Sequence, residues 1–356
     1  MGFGAKNTVQ APDATFAFQN KKVLITGGLG FIGSNLARRL VQLGAKIVLV
    51  DSMIPEYGGN LFNIDGIEGQ VQINLADVRD EHGMRALIRG QDYLFNLAGQ
   101  TSHLDSMEDP YTDLEINCRS QLYILEACRR HNPGIRIVYA STRQIYGAPD
   151  YFPVDENHPL RPVDVNGINK MAGEYYHILY QRIYGMQISV LRLTNTYGPR
   201  MRVRDARQTF LGIWIRRLID GMPIDVFGDG LQKRDFNYVD DVVEAFLLCA
   251  SRQSSNGKVF NLGDIDPITL IDLAKMLIQL NEAGEFRLIA FPPARKAIDI
   301  GDYYADYTSI QSTLGWSPRT RLREGLKETL EFYRKYQSHY WELSHETCVA
   351  SPAGQS

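Results

Sequence analysis

From Lys22 onward the chain repeats one pattern, in which a short and almost wholly apolar run is followed by a stretch with helical periodicity. The apolar runs include KVLIT, AKIVLVD, VQINLAD, YLFNLAG and RIVYAS, and the first helical stretch is FIGSNLARRLVQL. Strands inside a parallel sheet are covered on both faces, so they read as continuous Val, Ile and Leu runs. The pattern therefore predicts an α/β fold built on a doubly wound parallel sheet.

The charge balance favours a small molecule as partner. The 356 residues carry a formal net charge of -3, so the chain lacks the basic excess that nucleic acid or an anionic membrane would attract. No apolar run is long enough to cross a bilayer, and the N-terminal segment lacks the basic start and apolar centre of a signal peptide. We therefore expect a cytoplasmic protein with neither a nucleic-acid nor a membrane partner.

The cysteines do not indicate a metal centre or a disulfide framework. The chain has 4 cysteines, Cys118, Cys128, Cys249 and Cys348, and they form no CxxC pair and no cluster with histidine. Structural zinc sites and small disulfide-rich domains depend on such spacings. We expect no metal site and a reducing compartment.

The segment TGGLGFIG follows a predicted strand and opens a predicted helix, as a dinucleotide-binding turn requires. Gly28, Gly30 and Gly33 satisfy the pattern GxGxxG, and the spacing Gly27, Gly30, Gly33 also fits. A side chain in this turn would block the approach of backbone N–H groups to a pyrophosphate. Asp51 ends the second predicted strand about twenty residues on, where a carboxylate binds ribose hydroxyls. An acid there repels a 2′-phosphate, so NAD is favoured over NADP.

These motifs predict a Rossmann domain with a smaller, mixed α/β domain for the substrate on its C-terminal side. The composition shifts after ISVLRLTN to short elements rich in Gly, Pro and Arg. The predicted division is a tail over 1–19, the Rossmann domain over 20–195 with 235–262 returning to it, the substrate domain over 196–234 and 263–345, and a second tail over 346–356.

Several motifs, in the right order between Lys22 and Tyr336, resemble those of the extended short-chain dehydrogenase/reductases, specifically the NAD-dependent nucleotide-sugar epimerase/dehydratase family. The resemblance implies that Asp77 and Val78 hold the adenine and that Asn117 steadies the backbone. The residues that it implies for the rest of the cofactor site are the glycine-turn residues Gly27, Gly30, Phe31, Ile32 and Gly33, the nicotinamide-side residues Leu97, Ala98 and Gly99, and Lys170.

The resemblance also implies a substrate site. RLTNTYGPR resembles the segment whose asparagine, here Asn195, binds the substrate pyrophosphate. GDGLQKRDFNYVDD resembles the segment whose arginine, here Arg234, grips the nucleotide. Arg200 directly follows the first motif and is a second phosphate candidate, while Lys296 lies near the place of a further phosphate-binding arginine. A nucleotide sugar is the implied substrate.

The catalytic residues depart from the family pattern. Oxidation of a sugar hydroxyl needs a base and a cation that lowers the pKa of that base, and the family supplies a Ser or Thr with a YxxxK pair. Thr142 takes the hydroxyl position and Lys170 the lysine position, but Asn166 stands where the tyrosine belongs. The candidates for the base are Tyr146, His103 and Lys170 itself.

Two further positions bear on the reaction. The sugar 4,6-dehydratases follow the threonine with Asp and Glu, which expel the 6-hydroxyl, whereas this chain has Arg143 and Gln144 there. We therefore expect an epimerase that oxidises a sugar hydroxyl transiently, acting at C4 of a nucleoside-diphosphate hexose. A C2 epimerase, a dehydratase or decarboxylase, and an NAD-bound regulatory protein without turnover remain as alternatives.

Two predicted helices bear on assembly. The stretches from Tyr111 to Arg130 and from Val165 to Tyr184 resemble the pair that the family assembles into a four-helix interface. The apolar positions of the second stretch would otherwise lie exposed. A homodimer is the expected state.

Overall fold

The computed structural model describes residues 17–205, 207 and 209–342. Most of the predicted tails, over 1–16 and 346–356, lies outside the described residues. The N-terminal boundary falls earlier than the sequence suggested, because Phe18 is fully buried and its ring centroid lies 5.0 Å from that of Tyr93. The packed core thus begins before residue 20.

The strands along the chain are β1 Lys22–Thr26, β2 Lys46–Asp51, β3 Val71–Leu75, β4 Tyr93–Asn96, β5 Arg136–Thr142, β6 Gln187–Leu193, β7 Asn195–Tyr197, β8 Ile224–Phe227, β9 Lys233–Arg234, β10 Phe236–Tyr238, β11 Val259–Asn261, β12 Ile268–Thr269 and β13 Phe286–Ile289. The main sheet contains seven of them in the order β11-β6-β5-β4-β1-β2-β3, and every neighbouring pair is parallel. This confirms the predicted doubly wound α/β fold.

Helices cover both faces of this sheet. On one face, Leu36 and Phe246 pack with Phe95 in a single buried cluster. On the other face, Ile88 and Ile124 pack with strand residues in a second cluster. The helices of the large unit are Phe31–Gln42, Glu81–Ile88, His103–Glu108, Pro110–Leu114, Ser120–His131, Val165–Tyr184 and Val239–Ser251. Burial on both faces explains why the strands read as continuous apolar runs.

The remaining elements build a smaller unit with its own core. Trp214, Leu273, Leu326 and Tyr333 are buried in one cluster that joins three helices and the pair β8 and β13. The helices that follow β7, apart from Val239–Ser251, are Phe210–Ile219, Leu270–Asn281, Pro293–Lys296, Thr308–Leu314 and Leu322–Tyr336. The division of the chain into two domains at the predicted boundaries stays a prediction.

Two predicted elements differ in detail. The stretch from Tyr111 to Arg130 is not one α-helix, because the π-helical turn Glu115–Arg119 interrupts it. Such turns often occur at functional sites, and this one carries the buried Asn117. Of the stretch 235–262, expected to return to the Rossmann domain, the helix Val239–Ser251 packs on the main sheet and β11 joins it, whereas β10 pairs with β7 instead.

The strand order reverses between β1 and β4, so the loops that follow these two strands diverge to opposite faces. Ligands of open α/β sheets bind in the crevice at the carboxyl ends of the strands at such a point. Among the described residues no helix has the length and apolar character needed to span a membrane.

Candidate active site

A cleft of about 810 Å³ opens at this crevice and extends between the sheet and the smaller unit. Its size is in the range of small-molecule and cofactor sites, about 300–1,000 Å³. Its walls include the glycine turn after β1, the loops after β2 to β5, and residues of the smaller unit such as Arg234.

The glycine turn has the backbone that a pyrophosphate site needs. Gly27 has a φ of +69°, and a Cβ placed on it would lie 3.1 Å from the backbone of Ala98. A Cβ on Gly33 would lie 2.2 Å from the carbonyl oxygen of Gly27. Gly30 caps the helix Phe31–Gln42 with no side chain, which leaves the first N–H groups of the helix free for an anion.

Asp51 stands at the cleft where β2 ends. One carboxylate oxygen accepts the N–H of Leu29 at 3.1 Å, and the other accepts the N–H of Met53 at 2.9 Å. Burial raises its pKa although these two bonds oppose the shift. A carboxylate has about four acceptor positions, so Asp51 fixes the glycine turn and still has capacity for ribose hydroxyls.

The residues expected around the adenine also line the cleft. Asp77 pairs with Arg79 at 2.6 Å, and this pairing holds the pKa of Asp77 below its ordinary value although burial alone would raise it. Val78 lies beside it and is buried. Asp77 and Val78 thus both line the cleft, while their contact with the adenine stays a prediction.

The loop after β4 is held against the glycine turn. The N–H groups of Leu97 and Ala98 donate to the hydroxyl of Thr26 at 3.1 and 3.2 Å. A Cβ on Gly99 would lie 2.8 Å from the side-chain oxygen of Asn117 and 3.1 Å from the ammonium of Lys170. The absence of a side chain at Gly99 therefore lets the lysine approach the cofactor side of the cleft.

Thr142 and Lys170 face the same cleft from different elements. Thr142 ends β5, and its hydroxyl accepts the N–H of Gln144 at 3.2 Å. The ammonium of Lys170 donates to the carbonyl of Ala140 at 3.1 Å. Burial lowers the pKa of Lys170 to about 8, against the opposing charge of Asp113. The lysine is thus mostly a cation at neutral pH, poised to lose its proton just above it.

Asn166 is committed to a buried hydrogen-bond network. Its side-chain amide donates to the carbonyl of Gln100 at 2.8 Å, to the Gln100 side-chain oxygen at 3.1 Å and to Asp113 at 2.9 Å. Asp113 also accepts the amides of Asn117 and Asn169 at 3.0 and 2.8 Å. The residue that replaces the tyrosine therefore helps to hold a buried carboxylate near Lys170.

Tyr146 does not reach the cleft. It is fully buried, donates to Asn261 at 2.7 Å and accepts from Arg192 at 2.6 Å. Burial raises its pKa to about 12. A phenol that is enclosed in this way cannot exchange a proton with a substrate, so the structure does not place Tyr146 among the reacting groups.

His103 lines the cleft at the start of the helix His103–Glu108. Its Nδ1 lies 3.0 Å from a carboxylate oxygen of Asp164, whose side chain is fully buried. Asp164 caps the helix Val165–Tyr184 by accepting the N–H of Gly167 at 2.6 Å, and it also accepts the amide of Gln144 at 2.8 Å. Although burial alone would raise it, these partners hold the pKa of Asp164 below its ordinary value.

The two residues expected to bind the substrate, Arg234 and Asn195, line the cleft. Arg234 is buried and donates to the carbonyls of Lys233 and Gly301, and burial lowers its pKa to about 10. Asn195 donates its amide to the carbonyl of Asp235 at 2.9 Å. Both side chains belong to residues that line the cleft.

Two predicted phosphate contacts lie elsewhere. Arg200 lines a separate cavity and donates to the side-chain oxygen of Asn35 at 2.8 Å. Lys296 is exposed, whereas its neighbour Arg295 lines the cleft. Neither Arg200 nor Lys296 is therefore brought to the site.

Sequence reasoning did not assign site roles to Gln100, Asp113, Arg143 or Asp164. The one local signal was the position of Asp164 directly before a predicted helix, where Asp is a preferred cap. The guanidinium Nε of Arg143 is buried with no hydrogen-bond partner, while Arg143 lines the cleft. Such an orphaned donor is a group that a bound ligand can satisfy.

Comparison with known proteins decides the family. The model of the NAD dependent epimerase/dehydratase family matches residues 23–263. The chain belongs to this family. It is 31% identical over 320 residues to the UDP-glucose 4-epimerase of Mycolicibacterium smegmatis, a match that covers 88% of this chain and 98% of that protein.

Two solved structures are similar throughout. The UDP-glucose 4-epimerase of Thermotoga maritima with UDP-glucose has a TM-score of 0.81 at 31% identity, and the match covers 89% of this chain and 99% of that chain. The dTDP-glucose 4,6-dehydratase of Streptomyces venezuelae with NAD bound has a TM-score of 0.82 at 25% identity, covering 90% and 99%. NAD is the cofactor of this family, and the glycine turn and Asp51 fit it.

Proposed function

We propose that the protein epimerises the sugar of a nucleoside-diphosphate hexose at C4 through a transient ketone. Bound NAD would supply the acceptor for the hydride of the sugar carbon and return it to the opposite face. Within the cleft, Thr142 would hydrogen-bond the reacting hydroxyl, and the Lys170 ammonium would stabilise negative charge that develops on its oxygen. Asn195 would hold the diphosphate and Arg234 the nucleotide end.

One observation favours epimerisation over dehydration. Loss of a 6-hydroxyl needs an acid that protonates it and a base that removes the neighbouring proton. The loop after Thr142 offers Arg143 and Gln144 in place of carboxylates, and the Gln144 amide is engaged with Asp164. With the acid and base missing from this loop, returning the hydride is the simpler outcome.

A second candidate comes from Arg143. Its guanidinium Nε is buried with no hydrogen-bond partner, and the residue lines the cleft directly after Thr142. An arginine fork matches a carboxylate geometrically. A sugar that carries a carboxylate, as in a nucleotide uronate, would satisfy it. The reaction would then be epimerisation of the uronate, or its decarboxylation through the same ketone.

The test is incubation with a panel of nucleotide hexoses and nucleotide uronates in deuterated water, with the products read by NMR. C4 epimerisation predicts inversion at C4 with no deuterium from solvent. Dehydration and decarboxylation both pass through a carbon next to the ketone that exchanges with solvent, so they predict deuterium uptake. No change in any sugar would instead support a regulatory protein without turnover.

We also propose a homodimer. Four apolar side chains on one face of the helix Val165–Tyr184 are about half exposed in the single chain, namely Ile168, Tyr175, Leu179 and Ile183. Tyr111 is 78% exposed and Leu114 40% on the neighbouring helix. A contiguous apolar patch of this kind marks an interaction site, and a second copy of the same face would cover it by two-fold symmetry.

A further inference from the structure

The family position that supplies the base is occupied here by an amide, so another group must accept the proton of the sugar hydroxyl. An amide does not take a proton near neutral pH, and the side-chain amide of Asn166 donates its hydrogen bonds to Gln100 and Asp113. Tyr146 is enclosed away from the cleft. Lys170 and His103 are the candidates that remain at the cleft.

Lys170 is better suited to act as the cation than as the base. Its ammonium already donates to the carbonyl of Ala140 and lies 5.2 Å from the ring centroid of Tyr139. With its pKa at about 8, it is mostly protonated at neutral pH. A base must be in its unprotonated form when the substrate arrives.

His103 is linked directly to the position where the tyrosine is missing. The hydroxyl of Ser106 donates to the carbonyl of His103 at 2.7 Å and accepts the N–H of Asn166 at 3.2 Å. Ser106 thus connects, by hydrogen bonds, the start of the helix His103–Glu108 to the first turn of the helix Val165–Tyr184. His103 and Asn166 both line the cleft.

A buried carboxylate stands behind the imidazole. Nδ1 of His103 lies 3.0 Å from a carboxylate oxygen of Asp164, which is ion-pair distance but outside hydrogen-bond geometry. The His103 side chain is 37% exposed and that of Asp164 is fully buried. A histidine with a carboxylate beside one ring nitrogen can act as a general base through the other nitrogen, because the carboxylate stabilises the imidazolium that forms.

We propose that His103, positioned by Asp164, accepts the proton of the sugar hydroxyl in place of the missing tyrosine. The O–H bond of the sugar breaks and its proton moves to Nε2 of His103, while the hydride of the same carbon leaves to the oxidised nicotinamide of NAD. The sugar becomes a ketone, and the imidazolium is paired with Asp164. On the return step the proton and the hydride go back to the sugar. The proposal rests on the proposed function.

The test compares His103→Gln with the matched variant His82→Gln, whose histidine is exposed on the helix Glu81–Ile88. Each variant is mixed rapidly with the nucleotide sugar that the wild type turns over, and the formation of reduced nicotinamide is monitored over time. We expect His103→Gln to lower the rate by about 10²–10⁴-fold, with NAD affinity unchanged by calorimetry. His82→Gln should match the wild type.

A second variant separates catalysis from structure. His103→Ala leaves space at the cleft, so imidazole added to the solution should restore part of the rate, which a merely structural role would not allow. A rate in His103→Gln within tenfold of wild type, or no rescue of His103→Ala, would overturn the base assignment alone. If the wild type reduces NAD with no sugar of the panel, the proposed function is overturned, and the base assignment with it.

Discussion

Replacing Asn166 with tyrosine restores the residue that the family has at this position, and the structure predicts that it impairs the protein. The Asn166 side chain is almost fully buried, and its amide donates at 2.9 Å to the buried Asp113. A hydrogen bond to a charged group is worth about 1.5–3 kcal/mol. Forcing extra volume into a packed site costs about 1–3 kcal/mol more.

Two variants separate these contributions. Asn166→Ala removes the amide and its hydrogen bonds without adding volume, so its free energy of unfolding should fall by at least the contribution of the bond to Asp113, about 1.5–3 kcal/mol. Asn166→Tyr should fall further and should also turn over more slowly, because the phenol displaces the network that holds Asp113 near Lys170. Asn157→Tyr, on an exposed turn, serves as the control and should change stability by no more than about 0.5 kcal/mol.

The assay is denaturant unfolding with turnover measured on the same preparations. A folded Asn166→Tyr protein whose turnover rises tenfold or more would contradict this prediction. That result would mean that the site is a damaged form of the usual one and that a phenol at position 166 supplies a missing base.

Three further predictions concern the cofactor, the lysine and the assembly. Asp51→Ala should weaken NAD binding by about 1–3 kcal/mol, and calorimetry on nucleotide-free wild type should give tighter binding of NAD than of NADP. Because burial lowers the pKa of Lys170 to about 8, its charge is present below that pH and is lost above it. The rate of NAD reduction should therefore fall as the pH rises through about 8. A rate that stays level to pH 10 would contradict this role of Lys170. Ile183→Glu should convert a dimer into a monomer in light scattering, and a wild-type monomer at micromolar concentration would remove the proposed interface.

Local features of the site could be predicted from the sequence. The glycine turn and Asp51 depend on short spacings next to a strand, and a backbone turn of this kind is largely specified by its own residues. The helix Val165–Tyr184 also has the predicted bounds, because Asp164 caps its start and Gly185 ends it in the left-handed conformation.

Features that depend on distant pairing could not be predicted in this way. Asp113 becomes part of the site only because the π-helical turn and the helix Val165–Tyr184 bring three amides to it. No pattern in the sequence around Asp113 indicates these partners. The same holds for the contact of His103 with Asp164, which joins residues 61 positions apart in the numbering.

The direction in which each side chain points explains why Arg200 and Lys296 do not line the cleft. Arg200 follows the motif around Asn195 closely in sequence, but its backbone has a φ of +74° and its side chain turns toward Asn35. Lys296 and Arg295 are neighbours on the short helix Pro293–Lys296, where successive side chains point about 100° apart. A shift of one residue therefore decides which of them faces the cleft.

The proposed reaction oxidises a sugar carbon and reduces it again with the same hydride. The direct measurement uses a nucleotide hexose that carries deuterium at C4, with the product read by NMR. We expect the C4 epimer to form with the deuterium still on C4, because the label leaves to the bound nicotinamide and returns to the opposite face. Loss of the label to solvent, or a product altered at another carbon with the C4 configuration unchanged, would contradict it.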